Sequence, residues 1–242
     1  MNLNCLAVSS RPRCLLCCDP VLTLTALCPG CLGDLPRNLP CCRRCALPLP
    51  IPVTGVSRTA QCGRCLRHPP HYSELLAPYR YEAPCDFLVT RLKFGGQRYQ
   101  ATLMSRLLLT HLEDSLVDLP DLPDLLVPVP LHRTRLVERG FNQAHELAAP
   151  LAKHLKIRYR TDALHRARHT QSQVGLGVRE RRSNVRRAFR ATLESRDRHV
   201  AVVDDVVTTG STANEIAREL LHNGARRVSI WAFARALPPT LR

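Results

Sequence analysis

The chain is 242 residues long and 45% hydrophobic, enough to build a sizeable core and too much for a disordered polymer. Its 35 lysines and arginines against 20 acidic residues leave a formal charge of +15, which favours polyanionic partners or phosphorylated ligands; the plain alternative is a basic surface kept for solubility. Aromatics, at 5%, are too sparse for an extended base-stacking platform, and no apolar run reaches the roughly 18 residues needed to span a bilayer.

Met1 to Arg13 lacks a charged stretch followed by an apolar one, so no signal peptide and no membrane insertion are expected, and a cytoplasmic location follows. Twelve cysteines then need another explanation than disulfides. Four C-x₂-C pairs stand in the first 70 residues: Cys14/Cys17, Cys28/Cys31, Cys42/Cys45 and Cys62/Cys65. Two intervening residues let both thiolates reach one tetrahedral Zn2+. Pairing neighbours gives Cys14, Cys17, Cys28 and Cys31 as one site and Cys42, Cys45, Cys62 and Cys65 as the other. Such closed Cys₄ sites are structural, and the metal replaces a core that this Pro-rich segment cannot build. Cys18 and Cys41 adjoin proposed ligands and are alternative donors; Cys5 and Cys85 look like spares. The module carries eight arginines against Asp19 and Asp34, so it is also a candidate surface for nucleic acid or a partner.

His68-Pro69-Pro70-His71 reads as a linker. Beyond it, Leu75–Tyr81 suggests a strand, and Cys85–Phe94 an amphipathic helix ending at Gly95-Gly96. Tyr99–Glu113 is a stronger helix with Leu103, Leu107 and Leu108 on one face. Residues 118–124 form a loop.

Leu125–Pro130 reads as a strand that ends in a turn carrying His132, Arg133, Arg135 and Arg139, and Phe141-Asn142-Gln143 opens a helix running to about Leu155. Guanidinium groups at a strand end suit an anion such as pyrophosphate, which they hold bidentately; a solvated basic turn is the bland alternative. Residues 158–198 hold twelve arginines against four acids with no clean period, either an anion-facing flap or an exposed basic arm.

The C-terminal part is plainer. Val200–Val203 is an apolar strand broken by Asp204 and Asp205; Thr208, Thr209, Gly210, Ser211 and Thr212 follow, then a helix over Thr212–His222 stopped by Asn223-Gly224. Amides at a helix N-terminus hold phosphate, hydroxyls add donors, and carboxylates just upstream accept from a sugar diol. Together these suggest a ribose 5-phosphate cradle. Arg227–Arg235 closes a strand–loop–helix–strand unit, predicting a parallel α/β sheet with ligands at the strands' carboxyl ends.

Val202-Val203-Asp204-Asp205-Val206-Val207-Thr208-Thr209-Gly210-Ser211-Thr212 resembles the phosphoribosyl pyrophosphate (PRPP) motif of type I phosphoribosyltransferases. The cysteine pairs, Lys93-Phe94-Gly95, Val127-Pro128-Val129-Pro130, Arg139-Gly140-Phe141-Asn142-Gln143 and the Thr170/Gln173/Arg181/Asn184/Ala188/Phe189 series are similar to the ComF family, most of all its GntX branch, linked to DNA utilisation. The resemblance implies a double zinc ribbon over residues 1–70, a type I phosphoribosyltransferase fold over 71–242, and a role in competence or in using imported DNA. By position it implies that Asp204 and Asp205 bind the ribose hydroxyls and serve catalysis, that Thr208 to Thr212 hold the 5-phosphate, and that Val129–Arg139, with its Arg133, Arg135 and Arg139, is the pyrophosphate loop, with Mg2+ accompanying PRPP. One departure is Ala46, where a glycine often closes such a knuckle. Two functions follow as alternatives: a PRPP-dependent transferase acting on a nucleobase-like or other nitrogen nucleophile, or a non-catalytic single-stranded DNA binder that keeps the fold as a nucleotide or PRPP sensor, alone or with competence proteins.

Overall fold

The structure, a computed structural model, describes residues 12–21, 26–50, 60–94, 99–116, 122–167, 185–192 and 195–238. Expectations for Gly95-Gly96, most of the 118–124 loop, and Thr170, Gln173, Arg181 and Asn184 lie outside the described residues.

A parallel sheet organises the chain. Its strands are β1 (Glu74–Leu76), β2 (Tyr79–Arg80), β3 (Leu125–Pro128), β4 (Arg158–Tyr159), β7 (His199–Val207) and β8 (Arg227–Arg235). They run in the order β1-β8-β7-β3-β4, with β2 also against β8. The expected 75–81 strand is thus two short ones, both paired to β8, with Ala77 and Pro78 between them; proline brings no ladder donor. β7 does not stop at Val203. Asp204, Val206 and Val207 keep their register against Ala232, Ala234 and Arg235, so the long partner carries the strand through its acidic pair.

The two-residue period of β7 divides the core. Val200 and Val202 face one side, where they meet Ile216, Ala217 and Leu220 of α7 (Ser211–His222). Ala201 and Val203 face the other, where they meet Leu88 and Leu92 of α3 (Cys85–Phe94), Leu108 and Leu112 of α4 (Tyr99–Leu116), and Leu147 and Leu151 of α6 (Gln143–Leu155). Coverage on both faces explains why β7 and β8 read as continuous apolar runs. α3 has the bounds expected of it.

The basic turn after β3 is a helix, α5 (Arg133–Arg139), capped by the His132 side chain and stopped by Gly140 at φ 77°. α6 then opens on Asn142, whose side chain accepts from the Ala144 amide. Within 158–198, β5 (Leu164–Arg166) and β6 (Phe189–Ala191) form an antiparallel hairpin against α7, so the described part of this basic stretch is folded structure.

The cysteine-rich segment, which carries the short helices α1 (Pro29–Gly33) and α2 (Gly63–Arg67), is built into the same body. Cys14, Val21, Leu27 and Leu35 join the core on the α3/α4/α6 face, while Ala46 joins the α7 face. Its backbone also lines the outer side of β1 and β2: Leu75 donates to the Arg43 carbonyl at 3.1 Å, Arg80 to Pro36 at 2.8 Å, and Asn38 to Pro78 at 2.8 Å. No helix among the described residues is long and apolar enough to cross a membrane.

Candidate functional site

The carboxyl end of β7 carries Asp204 and Asp205 between the two cores. Asp205 is 4% exposed and its amide donates to Asp204 Oδ1 at 2.9 Å. Burial, and then the neighbouring Asp205 charge, push the Asp204 carboxyl well above the usual carboxylate range. Lys93 opposes that push. Its ammonium lies 2.6 Å from Asp205 Oδ2, at the last turn of α3. Although the distance is short, Oδ2 has no aligned hydrogen-bond donor among the described residues, so the contact is chiefly an ion pair.

Other cations converge on the pair. Arg139 feels the field of Asp205 and the repulsion of Arg135, while burial holds its guanidinium below its ordinary value. Arg166, on β5, is likewise lowered first by burial and then by Arg135, and is supported by Asp204; its guanidinium lies over the Phe189 ring at 5.5 Å. Lys93, Arg139 and Arg166 thus each feel one or both of the carboxylates, and Arg135 lies near enough to repel the two arginines. Arg133 stands exposed at the first position of α5. An excess of positive charge beside buried acids is a site for a polyanion that also offers hydroxyl donors.

The loop after β7 leads directly into α7. Gly210, at φ 78°, precedes the helix in the left-handed region, which turns the amides of the first helical turn outward. Thr209 Oγ1 lies 2.8 Å from Ser211 Oγ and accepts from the Ser211 amide at 3.3 Å. Thr208 and Thr212 flank these residues. A Cβ on Gly210 would meet the Tyr72 hydroxyl at 3.3 Å. Tyr72 is buried, and burial raises its phenol, so it stays a neutral hydroxyl beside the loop.

Arg235 holds the loop from behind. It is 3% exposed and donates to the carbonyls of Val207 and Ala236 at 2.9 and 2.7 Å, to that of Thr208, and to that of Cys45 at 2.9 Å. A cavity of about 600 Å³ opens between this loop and the second cysteine cluster, lined by Arg64, His68, Tyr72, Ser211, Arg218 and Arg235 among others. Another, of about 700 Å³, lies beyond the amino end of β7 by Arg196 and Arg198, away from the acidic pair.

Two thiol clusters form with the expected membership: Cys14, Cys17, Cys28 and Cys31, and Cys42, Cys45, Cys62 and Cys65, each with all four sulfurs within 4.8 Å of one another. Cys18 and Cys41 stand outside both, and Cys18 is not the alternative donor expected of it, because its sulfur is taken up in a disulfide. Sulfurs tetrahedral about an ion at about 2.3 Å would be about 3.8 Å apart; Cys17 and Cys28 are 3.6 Å apart and Cys45 and Cys62 3.7 Å. The Cys28 amide donates to Cys14 Sγ at 3.3 Å and the Cys62 amide to Cys42 Sγ at 3.2 Å, which favours the ligating thiolates. These donor sets fit a tetrahedral metal. Ala46 closes the second knuckle in the left-handed conformation, φ 53°, with its carbonyl held by Asn38 at 2.9 Å. A conformation that glycine adopts freely is thus imposed on alanine, at roughly 1 kcal/mol. Cys85 is a core thiol, pushed up to about 12 by burial and inert for that reason.

Sequence reasoning named the acidic pair, the loop, Arg135 and Arg139, but missed Lys93, Arg166, Tyr72 and Arg235 as members of this site. Lys93 had a signal in the Lys93-Phe94-Gly95 motif. Arg235 had a weaker one, a cation ending an apolar strand.

A parallel sheet whose central strand ends in two carboxylates, a hydroxyl-rich loop and a helix N-terminus is the type I phosphoribosyltransferase fold, here with an N-terminal pair of Cys₄ clusters; the family model described as "Phosphoribosyl transferase domain" matches residues 142–240. The chain is 38% identical over 226 residues to DNA utilization protein YhgH of Escherichia coli O157:H7, covering 93% of this chain and 97% of that one. It is 33% identical over 229 residues to competence protein F of Haemophilus influenzae, with the same coverages. The chain belongs to the ComF family of these proteins. Among solved structures it is similar to one described as the allosteric regulatory enzyme of purine biosynthesis, at 19% identity and a TM-score of 0.36, covering 55% of this chain and 26% of that one.

Proposed function

We propose that the protein binds PRPP and transfers or handles phosphoribosyl groups in connection with the uptake or utilisation of DNA. The observation that carries this reading is the arrangement at the end of β7: two adjacent acids, one paired to Lys93 at 2.6 Å and both within the field of nearby arginines, followed immediately by the Thr208–Thr212 loop at a helix N-terminus. Asp204 and Asp205 accept from the 2- and 3-hydroxyls of the ribose, which supply the donors that Asp205 Oδ2 lacks. The loop amides, with the hydroxyls of Thr208, Thr209, Ser211 and Thr212, take the 5-phosphate. Arg135 and Arg139 face the pyrophosphate, with Arg133 at the outer end of the same helix.

In the transfer, a nitrogen nucleophile forms a bond to the anomeric carbon while the carbon–oxygen bond to pyrophosphate breaks, the electron pair leaving with pyrophosphate. Positive charge develops on the ribose, and the acidic pair stabilises it electrostatically. Mg2+ would arrive on the pyrophosphate and neutralise part of its charge, since among the described residues only the two thiol clusters gather three or more ligating groups. The two Cys₄ clusters would each hold a structural Zn2+. The division at residues 70/71, the cytoplasmic location and any contact with single-stranded DNA or competence proteins belong to this proposal as well. Sensing without turnover is the alternative reading; of Arg13, Arg43 and Arg44 in the cysteine module, which donate to the Cys18 carbonyl, Glu74 and the Pro70 carbonyl, only Arg43 has its charge paired among the described residues.

Calorimetric titration of the full chain with PRPP and Mg2+ tests the site. Replacing both acids (Asp204→Asn with Asp205→Asn) should weaken binding by about 1.5–3 kcal/mol for each charge-assisted hydrogen bond lost. Undiminished binding in that variant sinks the assignment.

A further inference from the structure

We infer that Lys93 serves two partners in turn: Asp205, as seen here, and the pyrophosphate group of the ligand once ribose hydroxyls claim the carboxylates. The inference rests on the PRPP reading above and extends it to a residue that no motif assignment gives a role.

The geometry is that of an exchangeable contact. A counter-ion fixed for stability would be aligned and fully enclosed, because a buried pair repays its desolvation only with good hydrogen bonds. Lys93 is neither. Its side chain is 24% exposed, and its ammonium lies 2.6 Å from Asp205 Oδ2, which finds no well-aligned donor among the described residues. It also sits at the end of α3, on a flexible four-carbon stem with three donors free to turn.

The surroundings decide where the ammonium goes next. Arg139 lies in the field of the same carboxylate, and Arg135 in the field of Arg139. When ribose hydroxyls donate to the acids, they occupy the carboxylate lone pairs that Lys93 faces, and its ammonium is left short of acceptors. The pyrophosphate expected beside α5 offers new acceptors, in the part of the site where Arg139 lies in the field of Asp205. The exchange links the two halves of the ligand: binding the sugar releases the cation that the leaving group needs.

The test uses the full-length protein, titrated calorimetrically with ribose 5-phosphate and, separately, with inorganic pyrophosphate in the presence of saturating ribose 5-phosphate, each with Mg2+. In Lys93→Met the pyrophosphate affinity should fall about tenfold or more, while ribose 5-phosphate binds as well as before or better, its competitor for Asp205 being gone. Equal loss for both ligands, or no loss for pyrophosphate, overturns the inference. Asp205→Asn provides the complementary reading and does not depend on the stability of the lysine variant. It should weaken ribose 5-phosphate and leave pyrophosphate binding intact or stronger; a parallel fall in both again overturns the exchange. If the wild-type chain binds neither ligand, the PRPP reading falls and this one with it. If the wild type binds both and only the Lys93→Met contrast is absent, the PRPP reading stands alone.

Discussion

The guanidinium of Arg235 joins Cys45 to the phosphate loop: one nitrogen donates to the Cys45 carbonyl at 2.9 Å, and another to the carbonyls of Val207 and Thr208. A ligand of the second thiol cluster and the backbone that precedes Gly210 are thus two ends of a single side chain. Arg235→Met should strand several buried carbonyls and cost about 3 kcal/mol or more in chemical denaturation. It should also loosen the loop and weaken phosphate-bearing ligands. A stable variant with unchanged ligand affinity would show that the loop holds its shape without this brace.

Gly210 answers to two constraints at once. An alanine there meets the left-handed φ of 78° and the Tyr72 hydroxyl at 3.3 Å. We expect Gly210→Ala to destabilise by about 1–2 kcal/mol. Adding Tyr72→Phe should recover only the steric part, so urea titration of the single and double variants separates backbone conformation from crowding.

His199, at the start of β7, is buried, and its Nε2 hydrogen-bonds with Ser229 at 3.0 Å. Burial, and then the nearby Arg227 charge, depress its imidazole from 6.5 to about 4. The unfolded chain therefore binds a proton near pH 6.5 that the folded chain refuses until near pH 4. Stability from this residue is complete above pH 6.5 and declines as pH falls through that window, by ~3 kcal/mol at most. His199→Asn should flatten the dependence of the unfolding free energy between pH 6.5 and 4. An unchanged slope would mean that other groups carry it.

Much of this was legible from patterns that repeat along the chain. The strand at Arg227–Arg235, the helix at Cys85–Phe94 and the membership of both thiol clusters follow from periodicity and spacing. What escaped lacked a local period. β4, β5 and β6 have two or three residues each, too few to show alternation. α5 was hidden because arginines read as a solvated turn when no apolar stripe accompanies them. The extension of β7 through its carboxylates depended on β8 as a partner, and the Lys93–Asp205 pair on two elements far apart in the chain. Contacts of that kind are properties of the folded sheet.

Removal of the metal offers a further measurement. Native mass spectrometry should find two Zn2+ per chain, and a Cys31→Ser or Cys65→Ser variant should lose one of them. The first loss should loosen the α3/α4/α6 face and the second the loop braced by Arg235, so hydrogen exchange should rise in different segments. A metal-free chain with the protection of the wild type would contradict the ribbon reading.

The backbone of residues 36–43 runs along the outer side of β1 and β2, meeting the amides of Leu75 and Arg80 and the carbonyl of Pro78. Those strands end the sheet on that side, and an uncovered sheet edge is a template for another chain's strand. The cysteine-rich segment therefore covers that edge with its own backbone. A protein begun at residue 71 should accordingly aggregate more readily than the full chain in light scattering, and equal behaviour of the two would show that the edge needs no cover.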